Sequence, residues 1–330
     1  MRVLVTGAGG FLGRTIAQAL LARGDLVIGL ARREHPELLK LGAQLIRGDV
    51  RDAASVSTAC RGADAVVHTA AVAGVWGPWM HYHGINTLGT EHVIAGCRSM
   101  GVPILVHCSS PSVTFDGGHQ SGIDESAPYA SRHLCHYSHT KALAEAAVLA
   151  AHRPGILHTT ALRPHLIWGP GDPHLLPRLV ARSRAGKLVI VGDGKNRIDT
   201  VHVANAAAAH LNALDRLADP VSGVGGRAFF ITQGEPVNCW EWIGRLLRTA
   251  GCEPPRRRIG FAVAWRIGSA LEAAYRVAGV QREPPMTRFV AAQLARDHYF
   301  DISAARNLLG YVPAVSMQAG LEELRRAPAS

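Results

Sequence analysis

Residues 2–34 read RVLVTGAGGFLGRTIAQALLARGDLVIGLARRE. Arg2 to Val5 is a short apolar run rich in valine, Gly7, Gly10 and Gly13 punctuate the residues after it, and Phe11 to Arg23 carries apolar residues at helical spacing until Gly24-Asp25 breaks it. A second apolar run, Leu26 to Leu30, closes the unit, so the stretch predicts strand, glycine turn, helix, strand. Glycines in such a turn let the backbone come close to a pyrophosphate. The free N–H groups of the helix start, at Phe11, Leu12 and Gly13, then face its anionic oxygens. The spacing is GxxGxxG, and its place directly after the first strand predicts a dinucleotide-binding unit.

Downstream the pattern alternates: strands at Gln44–Arg47, Ala65–His68 and Ile104–His107, a helix near Thr87–Ser99, and a strand at Leu157–Leu162. Such alternation predicts an α/β fold, a Rossmann-type doubly wound parallel sheet with helices on both faces and functional groups at the strand C-terminal ends. Those ends carry Gly7, then Ala31 and Arg32, then Asp49, then Ala70 and Ala71, then Ser109 and Ser110. Past the turn Arg163-Pro164, the run WGPGDPHLLP changes composition and begins a smaller, mainly helical C-terminal lobe. The expected division is residues 1–168, with return segments within 197–232, for the dinucleotide domain, and 169–196 with 233–330 for the substrate lobe.

The mid-chain run HYSHTKALAEAAVLA places Tyr137 one helical turn before Lys141, and residues at i and i+4 share a helix face. With six Tyr and four Lys in 330 residues, chance seldom yields this spacing. Basic positions elsewhere are mostly Arg. A compact ammonium lowers a neighbouring phenol's pKa and reaches sugar hydroxyls, whereas a guanidinium is shaped for carboxylates and phosphates. The pair predicts a proton donor and its cationic companion acting on one bound molecule.

The glycine turn, the SSPSV run and the Tyr-x-x-x-Lys helix together resemble the extended short-chain dehydrogenase/reductase family. The segments ALRPHLIWGPGD, LVIVGDGKNRIDTVHVANAA, FFITQGEP and EPPMTRFVAAQLARDHYFDISAARNLLGYVP extend the likeness over nearly the whole chain. They are similar to its 3β-hydroxysteroid dehydrogenase-like branch, and within it to the bacterial 2-alkyl-3-oxoalkanoate reductases. The resemblance implies a catalytic Ser-Tyr-Lys set of Ser110, Tyr137 and Lys141, with Ser109 as the other candidate hydroxyl; either serine also suits a turn cap. It implies that Asn86 supports the active-site network, a helix-start cap being the alternative. It implies nicotinamide-cofactor contacts at Gly7, Gly10 to Gly13, Asp49, Val50, Ala70, Ala71, Tyr137, Lys141, Arg163 and Pro164. Asp49 would accept from the adenine amine or cap the following helix.

Cofactor choice follows from GLARRE. NAD-selective enzymes place a carboxylate at the end of the second strand, where it repels a 2′-phosphate. Here that position is Ala31, followed by Arg32 and Arg33, so the expected cofactor is NADP(H), with Arg32 the main phosphate ligand and Glu34 the one residue that could favour NAD. Trp76, Pro78 and Trp79 after the fourth strand, and His165, Leu166, Ile167 and Trp168 after the sixth, are the expected apolar walls of a substrate pocket, or else packing between lobes. They suit a long alkyl chain or a steroid. The resemblance implies NADPH-dependent, reversible reduction of a 2-alkyl-3-oxoalkanoate to the 3-hydroxy acid. A 3β-hydroxysteroid dehydrogenase is the alternative, with a sugar-nucleotide epimerase and a non-catalytic NADP sensor behind it.

Apolar residues make up 48% of the chain and charged residues 18%, which excludes disorder outside the closing RRAPAS. The formal net charge is +10, but scattered arginines without a binding motif argue against nucleic acid and suit an anionic small molecule. Six cysteines without CxxC pairs, and a first strand starting at Arg2, predict a reduced cytoplasmic protein. The 17 histidines cluster as HYH and RHLCHYSH without a carboxylate at ligand spacing, so no metal is expected. The segment 261–280 is apolar yet holds Arg266, Glu272 and Arg276, which disfavours a membrane span. A surface helix is expected there, covering the pocket, packing in a homodimer, or resting on a membrane or a partner enzyme.

Overall fold

A computed structural model describes residues 1–219 and 221–326; residues 327–330, most of the tail expected to lack order, lie outside the described residues. Seven strands form the main sheet: β1 (Arg2–Thr6), β2 (Leu26–Ala31), β3 (Gln44–Arg47), β4 (Ala65–His68), β5 (Ile104–Cys108), β6 (His158–Pro164) and β7 (Ala228–Ile231). All pair in parallel, in the spatial order β7-β6-β5-β4-β1-β2-β3. The strands read as nearly continuous apolar runs because helices cover both faces. One face packs Val3, Val5 and Val106 against Ile16, Leu20, Ala206 and Leu214; the other packs Leu4, Val66 and Leu105 against Val56, Val93 and Val148. Strand order reverses between β1 and β4, which opens a crevice at their C-terminal ends, where ligands bind in open α/β sheets.

Element ends differ modestly from expectation. The first helix spans Phe11–Ala22. A π-helical turn, His83–Leu88, precedes the helix Gly89–Met100, which Gly101 closes in the left-handed region. The Tyr137 helix spans His136–Ala150 and stops short of Pro154, since an Arg153–Leu157 bridge already turns the chain toward β6.

The C-terminal region has its own core, with Trp168, Trp242, Leu246, Ala264 and Met317 at its centre. The lobes interleave. Gln120–Ile123, from the N-terminal half, joins a small sheet with His298–Phe300, Arg197–Ile198 and Val237–Asn238. Phe300, Ile302, Leu309 and Tyr311 return to the first core beside Phe229 to Ile231, with Phe230 stacked on Phe300 at 4.3 Å. No helix among the described residues is long and apolar enough to cross a membrane. Segment 261–280 instead forms the surface helix Phe261–Val277.

Candidate active site

Beyond β1 the backbone turns on Gly7 at φ +71°, where a Cβ would press on the Ala70 backbone at 2.8 Å. A Cβ at Gly13 would meet the Gly7 carbonyl oxygen at 2.2 Å, so the first helix lies against the turn as only glycine allows. Gly10 N donates to Gly7 O at 2.8 Å, and the Phe11–Ala22 helix begins without a side-chain cap. Its first N–H groups therefore remain for an anion.

This turn forms one wall of a cleft of about 470 Å³, lined also by Ala31, Arg32, Arg33, Asp49, Val50, Ala70 and Ala71. Glu34 does not line it. His35 and His81 do, although neither stands out in the sequence as a binding residue. His35 lies so close over Gly9 that a Cβ there would come within 1.8 Å of its Nε2. A histidine two residues after Arg33 was the available signal. The cleft thus joins a backbone cradle, free helix N–H groups and cationic side chains, a donor set that fits a phosphorylated dinucleotide. The Asp49 carboxylate is held below the usual range by its hydrogen bonds to the Arg51 guanidinium, at 2.8 and 3.1 Å. The following helix is capped by Asp52, which accepts from Ala54 N, so the capping alternative for Asp49 is removed.

At the end of β5, Ser109 donates its backbone N–H to Leu162 O at 2.6 Å, and its hydroxyl is buried without a partner. Ser110 is half-buried. Its hydroxyl stands 3.0 Å from that of Ser112 and accepts from Ser112 N, capping the turn Pro111–Thr114. The same hydroxyl neighbours the Tyr137 phenol. Burial pushes the phenol's pKa up, and the hydrogen bond from Ser110 pulls it back.

The expected lowering of Tyr137 by Lys141 is corrected by this geometry. Lys141 is only 2% exposed, and its ammonium donates to the Cys108 carbonyl at 2.5 Å and to His107 Nε2 at 3.2 Å. Burial draws the Lys141 pKa down. An ammonium has only donors, so His107 Nε2 must accept, which makes His107 the neutral Nδ1–H tautomer. That Nδ1 is buried and unpartnered, and burial beside Lys141 drives the His107 pKa well below the ordinary value. His68 lies behind, its ring 5.2 Å from that of His107 and its nitrogens against Thr6 Oγ1 and Thr90 Oγ1.

Asn86 ties the post-β4 loop to the Tyr137 helix rather than capping its own. Its Oδ1 accepts from Val72 N at 2.8 Å, and its Nδ2 donates to Val72 O and to Thr140 Oγ1 at 3.1 Å.

Other expected residues fall elsewhere. Arg163 does not line the dinucleotide cleft. It pairs with the fully buried Glu145, locking the Tyr137 helix to β6, and lines a separate cleft with Tyr129 and Glu125. Pro164 ends β6, and Leu166 just beyond it adopts φ +42°, a strained backbone at the crevice. Trp168 is no pocket wall: it packs in the C-terminal core against Trp242 and donates Nε1–H to Thr200. His165 is buried as well, with Nε2 at 2.6 Å from His298 Nδ1. Ile167 pairs with Val201 and is partly buried on the first core. Trp79 packs among His83, His136 and His139.

Of the expected walls, Trp76 and Pro78 do line a cleft, of about 420 Å³, with His133, His139 and Tyr275. A larger opening of about 710 Å³ lies between Ala73 and Gly74 after β4 and the C-terminal residues Arg178, Arg182, Ile267, Leu271 and Met286. Among the described residues, no three His, Cys, Asp or Glu side chains are grouped to hold a metal ion.

Strand order, the glycine turn and the helix that carries Tyr137 and Lys141 together define an extended short-chain dehydrogenase/reductase. The chain belongs to the 3-beta hydroxysteroid dehydrogenase/isomerase family, whose signature matches residues 4–262, and is an oxidoreductase acting on CH–OH and C=O groups. It is 46% identical over 327 residues to the 2-alkyl-3-oxoalkanoate reductase of Shewanella oneidensis, covering 97% of this chain and 84% of that one. To the enzyme of the same name from Stenotrophomonas maltophilia it is 44% identical, over the full length of both. The 3beta-hydroxysteroid-dehydrogenase/decarboxylase isoform 1 of Arabidopsis thaliana is 35% identical, over 97% of this chain and 77% of its own. Among solved structures, MoeE5 in complex with UDP-glucose and NAD superposes with a TM-score of 0.75 at 26% identity, covering 98% of this chain and 97% of that one.

Proposed function

We propose that the protein is an NADPH-dependent reductase of the 3-keto group of long-chain 2-alkyl-3-oxoalkanoates, yielding the 3-hydroxy acids reversibly. The observation that carries the reading is the Ser110 hydroxyl next to the Tyr137 phenol at the end of β5, in a fold whose glycine-turn cleft is lined by Arg32 and Arg33. Full-length similarity to two reductases of that name supports the substrate.

Bound, the cofactor supplies a hydride to C3 of the ketone. The turn from Gly7 to Gly13 would hold its pyrophosphate, Arg32 and Arg33 its 2′-phosphate, and Asp49 its adenine amine. Ser110 donates a hydrogen bond to the ketone oxygen and fixes it beside Tyr137. Tyr137 then transfers its phenolic proton to that oxygen, giving the alcohol and a tyrosinate that solvent reprotonates. Burial keeps the phenol protonated until the ketone oxygen becomes basic. Lys141, held by Cys108 and His107, lends positive charge to the tyrosinate as it forms. Ile267, Leu271 and Met286, which line the opening of about 710 Å³ after β4, would supply apolar wall for the alkyl chains. The six free cysteines suit a reducing cytoplasm, and a homodimer is the assembly we favour.

NADPH oxidation measured with a 2-alkyl-3-oxoalkanoate and with a 3-oxosterol, and again with NADH in place of NADPH, tests the reading. Turnover of the sterol alone would make the protein a sterol dehydrogenase, and a preference for NADH would remove the role of Arg32.

A further inference from the structure

The helix Phe261–Val277 is packed on its inner side only. Ala264, Gly268 and Glu272 are buried there; a Cβ on Gly268 would press on the Thr287 backbone at 2.7 Å. Glu272 accepts from the Arg288 backbone at 2.7 Å and from its guanidinium at 2.7 and 3.0 Å. At the far end, Trp76 Nε1–H donates to Val280 O at 3.0 Å and Arg276 covers the Trp76 ring. The helix is thus clamped in one orientation.

Its outer side is apolar. Val263, Ile267, Ala270, Ala274 and Val277 succeed one another at intervals of three and four residues, which sets them in one stripe about 21 Å long. Val263 is 51% exposed, Ile267 44% and Val277 91%. Other exposed apolar side chains, such as Leu26 on β2 and Ile156 and Val312 in loops, stand far apart in the chain. Exposed Arg266, Arg276 and Arg282 fringe the stripe, while the sole acid of the helix, Glu272, is buried in its ion pair.

We propose that this stripe docks the protein on an anionic lipid surface, with the apolar residues at the acyl boundary and the arginines on lipid phosphates. An apolar face bordered by arginines, with the nearby acids Glu272 and Glu283 already paired to Arg288 and Arg178, matches such a bilayer. A second copy matches poorly, because a two-fold contact would set the same arginines against each other while Glu272 and Glu283 stay in their own pairs. The position also has a use. Ile267 and Leu271 line the opening of about 710 Å³ after β4, so the docked helix presents that opening to the bilayer in which a long-chain keto acid dissolves. That last step rests on the proposed substrate; the docking does not.

The test is co-sedimentation of the full-length protein with phosphatidylcholine vesicles, and with vesicles carrying about one third phosphatidylglycerol. The expected result is pelleting with the anionic vesicles only. The double substitution Val263→Glu/Val277→Glu reduces it about tenfold or more, and Arg266→Glu reduces it by a smaller factor. Both variants alter exposed side chains, and an unchanged melting temperature confirms their folding. Failure to pellet with either vesicle overturns the proposal, as does equal pelleting of wild type and the double variant. A dimer that the same substitutions dissociate, without vesicle binding, also overturns it and makes the stripe an interface between copies. No turnover enters the readout, so its failure and that of the ketoreductase reading are separate results.

Discussion

The Lys141 ammonium lies 3.2 Å from Nε2 of His107, and that imidazole, with the Cys108 carbonyl, holds the cation one helical turn after Tyr137. Removing the acceptor frees the ammonium and takes away an interaction that favours its charged form. His107→Leu is expected to lower kcat by about tenfold to a hundredfold through misplacement of Lys141. His107→Gln, which keeps an acceptor, restores much of it. A structural role alone would leave the pH profile in place. The positioning role instead moves the alkaline limb of His107→Leu to lower pH.

Burial already draws the Lys141 pKa below the ordinary lysine range, while that of Tyr137 is raised. In the reductive direction the phenol must be protonated and the ammonium charged. The kcat/KM profile should therefore stay level through neutral pH and fall on the alkaline side, below the pH of about 10.4 at which a free lysine titrates. A profile level to that point would show that the Lys141 charge is not needed.

Tyr137→Phe removes the proton donor and leaves the Gly7 cleft intact. Turnover should fall by about two to four orders of magnitude, with NADPH binding, read by fluorescence titration, preserved. Unchanged turnover would break the proposed mechanism.

Arg32 borders the dinucleotide cleft beside Arg33, where a charge-assisted bond to a 2′-phosphate is available. Arg32→Glu should raise the KM for NADPH about tenfold or more and spare that for NADH, since each 1.4 kcal/mol is a factor of ten. Equal loss with both cofactors would point to a general effect on the cleft.

Acid should destabilise the fold through its buried histidines. Burial holds His210 and His298 at about 4 and His68 at about 3, whereas the unfolded chain protonates them near 6.5. These depressed values mean that their contribution is complete above about pH 6.5, and is lost as pH falls toward 4 because the unfolded state binds the protons first. Each group costs up to about 1.4 kcal/mol per pH unit in that window. Thermal melts between pH 7 and 4.5 measure the slope, and His298→Gln should flatten it.

Much of the fold was legible in the chain because its signals are local. Valine-rich runs covered on both faces marked β1, β4 and β5, and the glycines at 7, 10 and 13 marked the turn, so the doubly wound sheet came from pattern alone. Tyr137 and Lys141 could be named from spacing, since four residues is one helical turn. Where each side chain points was not legible. Arg163 and Trp168 sit in suitable motifs, yet one pairs with Glu145, 18 residues before it, and the other fills a core with Trp242.

From sequence alone came the class of sheet, the glycine turn, the helix that joins Tyr137 to Lys141 and the absence of a carboxylate at the end of β2, because each depends on residues within one element or one turn. Tertiary structure decided the rest. It buried Lys141 against His107, set Ser110 rather than Ser109 at the Tyr137 phenol, brought His35 over Gly9, and turned the apolar face of Phe261–Val277 outward. Those outcomes depend on which distant segments share a neighbourhood, and the burial and charge they create exist only once the chain has closed.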